Sequence, residues 1–251
     1  RGAEFTNSSV FKAAILLFAA DQPALGERFL THLAETLTDN EILQMADFLE
    51  EFEKPHVLVM LGKRAASQGR NVPRPYFALH PLTSVKWPVK TELALAISRR
   101  ESEFDPMVVS PVGAKGLMQL MPKTAEEMAR DLGVPFDEPR LTQDWQYNAA
   151  LGTTYLAELG ARFQGNPVLI SIAYNAGPSR ADKWSELYGD PRSPNVDLIE
   201  WIEMIPFQET RNYVMRVTES LPVYRARLGQ TALPVPFSKE LRGSGLLPLS
   251  P

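Results

Sequence analysis

The sequence predicts an all-α protein, and three observations support this fold class. Apolar residues recur three and four positions apart, as in "FLTHLAETL" and "HVLVMLGKRAA". Prolines lie at or near the starts of many predicted helices, where the missing N–H costs little. Alternation of apolar and polar residues, the pattern of a half-buried strand, is hard to find anywhere in the chain.

The first part of the chain, from residue 8 to about residue 69, predicts four helices joined by short connections. The breaks fall where Asp, Asn and Pro favour caps and first turns: Asp21-Gln22-Pro23, Thr38-Asp39-Asn40 and Lys54-Pro55. Each helix needs a neighbour to cover its apolar stripe, and helical hairpins stacked as in a solenoid would supply it. The segment Ala13–Ala20, "AAILLFAA", resembles the apolar part of a signal peptide but lacks a clear cleavage site. We interpret it as a buried helix in a chain whose N-terminal part is missing.

A proline-rich segment, residues 70–88, follows and predicts an ordered linker. We therefore expect an α-helical hairpin region over 1–75, a second helical domain over 76–230 and an extended tail over 231–251, which is rich in Pro, Gly and Ser. The helices predicted after the linker span about 89–102, 122–132, 143–163, 167–175, 178–187, 197–204, 206–220 and 222–228.

Composition excludes several functional classes. The formal net charge is −4, with 26 basic and 30 acidic residues and no long basic run, which argues against nucleic acid as a partner. The chain contains no cysteine, so it has no thiolate chemistry. Its three histidines are scattered without ligand spacing, so we expect no metal site and no cofactor. No apolar run approaches the roughly 20 residues of a transmembrane helix.

Glu101 is the first candidate for chemistry. Ala94, Ile97, Glu101 and Phe104 are spaced by three, four and three residues, which places Glu101 on an apolar face at the end of a helix. Burial and the negative end of the helix dipole would both raise its pKa, as a general acid for glycosidic cleavage requires. The alternative is a buried glutamate neutralised by an arginine such as Arg99 or Arg100.

Three further segments carry candidate binding groups. A turn beginning at Ser110, with Gly113 and Gly116, is followed by Met118, Gln119 and Met121; an amide suits sugar hydroxyls, and thioethers suit the faces of sugar rings. Tyr174 and Asn175 lie at the end of a helix, and Glu209 lies near the start of another. Taken separately, each has an ordinary structural explanation: core methionines, a core tyrosine, a helix-ending asparagine and a glutamate that suits the helix dipole.

Together these segments resemble a known family. "ESEFDP…SPVGAKGLMQLMP", "AYNAGP" and "IPFQETRNYV" resemble, in order and spacing, the motifs of the soluble lytic transglycosylases, over roughly residues 80–230. The resemblance implies a lysozyme-like (goose-type) catalytic domain preceded by helical hairpins of a superhelix. It implies that Glu101 is the single catalytic acid and base. It also implies substrate contacts by Ser110, Met118, Gln119, Met121, Tyr174, Asn175 and Glu209.

The implied substrate is peptidoglycan, cut between N-acetylmuramic acid and N-acetylglucosamine to leave a 1,6-anhydromuramyl end without water. The resemblance also implies a bacterial periplasmic location, and the helical N-terminal region offers a surface for a cell-wall protein partner. Two alternatives stay open at this point. A goose-type lysozyme would share the fold and the single glutamate but release a reducing end, and a non-catalytic scaffold module would bind glycan without cleaving it.

Overall fold

The structure is a computed structural model that describes residues 4–243. Within this range the regular elements are helices, together with two isolated β-bridges, Val109–Lys115 and Lys115–Leu120, and no strand. The all-α prediction is therefore confirmed. The chain divides into two compact units between Pro81 and Leu82. The domain boundaries proposed from the sequence stay predictions.

The first unit contains the four helices expected before residue 69. Their N-termini follow local chemistry: the Ser8 hydroxyl accepts from the Val10 N–H, and Thr38 and Glu41 form a reciprocal capping box. The first helix packs on the second, which packs on the fourth. The linker segment, expected without helical structure, also forms a short fifth helix and a 3₁₀ turn at Pro81–Ser84. The helices are α1 (Ser9–Ala19), α2 (Pro23–Leu33), α3 (Asp39–Glu51), α4 (Pro55–Ser67) and α5 (Pro73–Tyr76).

The second unit contains nine helices in the described part of the chain, and most begin where the sequence predicted. They are α6 (Thr91–Ser102), α7 (Pro122–Leu132), α8 (Arg140–Gln143), α9 (Trp145–Arg162), α10 (Pro167–Ala176), α11 (Pro178–Tyr188), α12 (Leu198–Glu203), α13 (Gln208–Arg227) and α14 (Phe237–Leu241).

The centre of the second unit is the packing of α6 and α10 against α13. Leu93 and Ile97 of α6, Ile172 of α10 and Val217 and Leu221 of α13 are all completely buried. Because α6 is buried along most of its length, the last turn of this helix is held rigidly in place.

The prediction that a new helix begins at Pro222 is wrong. Helix α13 continues through Pro222 to Arg227. Val217, Leu221 and Tyr224 are buried on one side of the helix, at a spacing that is continuous across the proline. Burial of this apolar face therefore outweighs the hydrogen bond that the proline nitrogen cannot donate.

The prediction of an extended tail is wrong for residues 237–241, which form α14. This short helix is held by Glu240, whose carboxylate pairs with Arg225 of α13. Glu92 in the first turn of α6 accepts from Nε of the same arginine at 3.0 Å. All three side chains are buried, so Arg225 lies between two carboxylates that neutralise it. The remainder of the predicted tail, residues 244–251, lies outside the described residues.

Candidate active site

Glu101 lies in the last turn of α6, where the chain reverses sharply. The next two residues after Ser102, Glu103 and Phe104, adopt positive φ angles of 54° and 65°. Such angles cost free energy in residues other than glycine, and they cluster at functional sites. Phe104 is only 1% exposed, so its packed ring fixes this strained turn in place.

The loop after α6 is tied back to the helix by Ser102. Its hydroxyl lies 2.6 Å from the carbonyl oxygen of Leu117 and 3.1 Å from that of Ser98. The loop that contains Gly113 and Gly116, residues 110–121 and here called the glycine loop, is therefore held at Leu117 next to the last turn of α6.

Glu101 accepts a hydrogen bond from Tyr213. The Tyr213 hydroxyl lies 2.6 Å from Oε1 of Glu101. The tyrosine is buried in α13, and the Arg100 guanidinium lies over its ring, 5.6 Å from the centroid. Glu101 itself retains some exposed surface. The carboxyl group is therefore oriented by a buried donor, on a residue that is partly exposed.

Burial raises the pKa of Glu101 to about 7. The Tyr213 hydrogen bond and the positive charge of Arg100 act in the opposite direction, and the negative charge of Glu209 adds to the rise. The alternative of a glutamate neutralised by an arginine therefore does not describe Glu101. Arg100 is near, but its effect on the pKa of Glu101 is smaller than that of burial. A carboxyl group with a pKa near 7 can both give and take a proton at neutral pH.

The glycine loop is fixed by one buried side chain, Asn148 of α9. Its Nδ2 donates to the carbonyl oxygens of Lys115 and Leu141, each at 2.9 Å, and its Oδ1 accepts from the Met118 N–H at 2.9 Å. Gly116 makes this close approach possible, because a Cβ there would collide with the Leu141 carbonyl. These backbone polar groups therefore have hydrogen-bond partners although they lie inside the protein.

The structure places the predicted loop residues in different environments. The hydroxyl of Ser110 accepts from the Ala114 N–H at 2.9 Å and shapes the turn. Met121 is 44% exposed and can offer its thioether to a ligand. Met118 has no exposed surface, because it packs beneath the loop against Gly152. In this conformation its side chain belongs to the core rather than to a ligand-binding wall, which corrects the environment expected for it.

Gln119 adopts a positive φ of 49°, so its side chain is turned back on the loop. Its Nε2 group donates to the carbonyl oxygens of Val108 at 3.0 Å and Gly116 at 2.9 Å. Both amide hydrogens are therefore occupied, and the amide oxygen is the atom that Gln119 can offer to a ligand as an acceptor.

Tyr174 and Asn175, at the end of α10, are both engaged within the unit. The Tyr174 hydroxyl donates to the Met118 carbonyl oxygen at 2.8 Å, and its ring lies 5.5 Å from that of Tyr155. Burial raises the pKa of Tyr174 well above its usual value, and the negative charge of Glu101 adds to this effect. Tyr174 therefore lies near enough to Glu101 for the negative charge of Glu101 to raise the pKa of the tyrosine.

Asn175 joins α10 to the start of α13. Its Oδ1 accepts from the hydroxyl of the buried Thr210 at 2.7 Å. The amide nitrogen of Asn175 has no hydrogen-bond partner among the described residues and remains available as a donor. Glu209, next to Thr210, is exposed in the first turn of α13, and its charge reaches Glu101.

Sequence reasoning missed Tyr213 and Asn148. Tyr213 lies within the quoted motif "IPFQETRNYV", but only the folded chain shows which of its side chains faces Glu101. Asn148 lies in α9, away from every predicted motif, and no sequence signal distinguished it.

Two general features of the described residues, 4–243, are relevant to the chemistry. No cluster of three or more His, Cys, Asp or Glu side chains suited to a metal ion occurs among them. None of their helices combines the length and the apolar character needed to cross a membrane.

Comparison with protein families gives a match to the transglycosylase SLT domain over residues 83–195. This part of the chain is therefore similar to the transglycosylase SLT domain. The matched range includes Glu101, the glycine loop, Tyr174 and Asn175, whereas Tyr213 and Glu209 of α13 lie beyond its end.

Curated relatives of the SLT domain are known from several bacteria. The chain is 40% identical over 137 residues to the soluble lytic murein transglycosylase of Escherichia coli K12, an alignment that covers 54% of this chain and 21% of that protein. It is 38% identical over 143 residues to the protein of the same name from Salmonella typhimurium, covering 57% of this chain and 22% of that protein. The chain thus spans about a fifth of the length of these relatives.

Solved structures extend the likeness beyond the SLT domain. The 70 kDa soluble lytic transglycosylase SLT70 of E. coli matches with a TM-score of 0.77 and 26% identity, covering 96% of this chain and 38% of that one. An inactive Glu-to-Gln mutant of the lytic transglycosylase Slt from Pseudomonas aeruginosa matches with a TM-score of 0.66 and 27% identity, covering 93% and 38%. The predicted fold class, a lysozyme-like α-helical domain preceded by superhelical hairpins, is therefore confirmed.

Proposed function

We propose that this protein is a peptidoglycan lytic transglycosylase. It cleaves the β-1,4 bond between N-acetylmuramic acid and N-acetylglucosamine without water and leaves a 1,6-anhydromuramyl end. One observation carries the proposal: a single carboxyl group, Glu101, has a pKa of about 7 and is oriented by a buried tyrosine. The family match and the lytic murein transglycosylases among the relatives support the substrate and the reaction class.

In the first step Glu101 acts as a general acid. Its protonated carboxyl group transfers the proton to the glycosidic oxygen, the bond from that oxygen to the muramyl C1 breaks, and N-acetylglucosamine leaves as an alcohol. Positive charge develops on the muramyl ring. The carboxylate whose negative charge acts on Glu101 is Glu209, but this residue is exposed on another helix. The N-acetyl group of the sugar itself therefore stabilises this charge, as in substrate-assisted glycosidases.

In the second step the same glutamate acts as a base. Glu101, now a carboxylate, removes the proton from the C6 hydroxyl of the muramyl residue. At the same time the oxygen of this hydroxyl forms a bond to C1. This closes the 1,6-anhydro ring, and the carboxyl group regains the proton that it donated. The net reaction consumes no water and leaves Glu101 protonated for another cycle. Intramolecular attack prevails because the hydroxyl is held beside the reacting carbon.

The neighbouring residues bind and orient the glycan. The free amide oxygen of Gln119 accepts from a sugar group, and the free amide nitrogen of Asn175 donates to one. Met121 offers an apolar surface to a sugar face, and Ser110 and Tyr174 shape the loop from which these groups project. The Met118 carbonyl oxygen accepts from the Tyr174 hydroxyl and so positions that tyrosine, and Glu209 contacts the peptide part of the substrate.

The substrate implies a periplasmic location in a bacterium. The first unit supports an additional role in docking a cell-wall protein. A groove of about 640 Å³ runs along α2 and α4 and carries charges of both signs, including Glu27, Arg28, Lys63 and Arg64. Such a mixed surface suits a polar protein partner.

Mass spectrometry of the fragments released from purified peptidoglycan tests the proposed reaction. The wild-type chain should release fragments with anhydromuramyl ends, lighter by one water than the corresponding reducing ends. Glu101→Gln should release none, because an amide cannot supply the proton. Glu186→Gln is the matched control, since Glu186 is an exposed residue of α11 and its substitution should leave the products unchanged.

Other outcomes would overturn parts of this proposal. Reducing ends in place of anhydro ends would indicate a lysozyme-type hydrolase and a water-activating group. Unchanged cleavage by Glu101→Gln would remove Glu101 from the mechanism. Glycan binding with no cleavage by either form would leave a non-catalytic module.

A further inference from the structure

A cleft opens in the second unit at the opposite end of α6 from Glu101. It has a volume of about 510 Å³ and lies between the segment that leads into α6 and the end of α13. Thr91 begins α6 and lines the cleft, whereas Glu101 lies in the last turn of the same helix. Ten residues of helix separate the two, which corresponds to about 15 Å.

The rim of this cleft carries two cations that the protein leaves uncompensated. Lys86 is exposed and Lys90 is half-buried, and neither pairs with a carboxylate among residues 4–243. Arg225 also lines the cleft, but its charge is already neutralised because it lies between Glu92 and Glu240. The positive charge available to a ligand therefore comes from the two lysines, each of which offers three donors.

The wall of the cleft offers both a flat apolar surface and polar groups. Trp87 is anchored by its indole nitrogen, which donates to the Leu82 carbonyl oxygen at 2.8 Å. Because the polar edge of the indole is already occupied, its ring surface remains for an apolar contact. Thr91, Gln230 and Thr231 add hydroxyl and amide groups, and the N-terminal end of α6 adds a partial positive charge.

We propose that this cleft binds a carboxylate-bearing saccharide, as a second site for a segment of peptidoglycan away from Glu101. The ammonium groups of Lys86 and Lys90 bind the carboxylates of the lactyl-peptide part, and the Trp87 ring packs against the face of a sugar. The proposal rests on the proposed function for its ligand class. A second site on the same unit would keep the enzyme on a glycan strand between cleavage events, by raising its effective concentration there.

The indole N–H resonance of Trp87 gives a direct test by nuclear magnetic resonance. The chain contains four tryptophans, so a Trp87→Phe variant assigns the signal. The probe is the soluble disaccharide-tetrapeptide of peptidoglycan, and neutral chitotetraose is the comparison ligand. We expect a saturable shift of the Trp87 signal with the muropeptide, weakened about tenfold for Lys86→Gln/Lys90→Gln by loss of two charge contacts. Higher salt should weaken the binding further.

The matched control is Lys12→Gln/Lys183→Gln, which removes the same two charges from exposed positions elsewhere and should bind as the wild type does. A muropeptide concentration series that leaves the Trp87 signal unmoved would overturn the site. Equal shifts with chitotetraose, or equal affinity for both double variants, would overturn the assignment of the lysines to carboxylates. This readout is independent of cleavage, so a wild-type chain without anhydro products would overturn the proposed function and leave the binding result standing.

Discussion

The hydroxyl of Tyr213 donates a hydrogen bond of 2.6 Å to Oε1 of Glu101, joining α13 to the last turn of α6 across 112 residues of sequence. The bond does two things. It fixes the direction in which the carboxyl group points, and it stabilises the charged form of Glu101 against the burial that disfavours it. The pKa of about 7 is therefore a balance between two effects, and each can be altered separately.

Removal of the Tyr213 hydroxyl should raise the pKa of Glu101 above about 7, because this hydrogen bond lowers it. The proposed mechanism requires protonated Glu101 in its first step, so the pH at which activity falls on the alkaline side should move upward in Tyr213→Phe. The measurement is the rate of peptidoglycan solubilisation as a function of pH. Tyr188→Phe, at the end of α11, is the control and should keep the wild-type profile. A profile that keeps its position, or that moves to lower pH, would contradict this account.

Replacement of Glu101 by glutamine should stabilise the fold at neutral and alkaline pH. The pKa of Glu101 is raised from 4.5 to about 7 in the folded protein, so the folded state holds this proton more tightly than the unfolded chain does. Its contribution to stability is present below pH 4.5 and is lost as pH rises through about 7. The wild type should therefore lose on the order of 2 to 3 kcal/mol over this interval relative to Glu101→Gln.

Urea denaturation of both forms at a series of pH values measures this difference directly. Glu186→Gln, an exposed substitution of the same type, should follow the wild-type curve. Parallel stability curves for the wild type and Glu101→Gln would show that folding does not disfavour the charged form of Glu101.

The positions of most helices could be predicted from the sequence because their causes are local. Pro55, Pro122, Pro167 and Pro178 each begin a helix, and Thr38 caps one, through the geometry of one or two residues. Pro222 shows where this reasoning fails. The local signal at that residue is the same, but the buried side of α13 carries the helix through it.

The candidate site divides in the same way. Glu101 and the loop residues could be found because they lie within short motifs, and an apolar face raised the pKa as expected. Tyr213 and Asn148 act across 112 and 30 residues, respectively, to reach Glu101 and the Met118 N–H. Such contacts depend on how helices pack, which no local pattern encodes. The same holds for the burial of Met118 and for the pairing of Glu240 with Arg225.

Two glycines of the glycine loop should respond differently to substitution by alanine. Gly113 and Gly116 both have positive φ angles, of 90° and 75°, so each variant carries backbone strain of about 1 kcal/mol. A Cβ at Gly113 would meet no neighbouring atom, whereas at Gly116 it would collide with the Leu141 backbone. Thermal unfolding should show a small loss for Gly113→Ala and a loss at least twice as large for Gly116→Ala, with lower cleavage in the second variant alone. Equal losses would mean that the loop relaxes freely away from α9.

Arg225 of α13 pairs with Glu92 of α6 and Glu240 of α14, and its loss should be costly. Arg225→Met leaves Glu92 and Glu240 buried without their common partner, which should cost about 3 to 5 kcal/mol at neutral pH. A triple variant, Glu92→Gln/Arg225→Met/Glu240→Gln, removes all three charges and should recover much of the lost stability. Urea denaturation of the wild type and both variants at neutral pH measures the two losses. If the triple variant were as unstable as Arg225→Met, the cause would be lost packing and hydrogen bonds rather than buried charge, because the triple variant contains no ionised group of the triad.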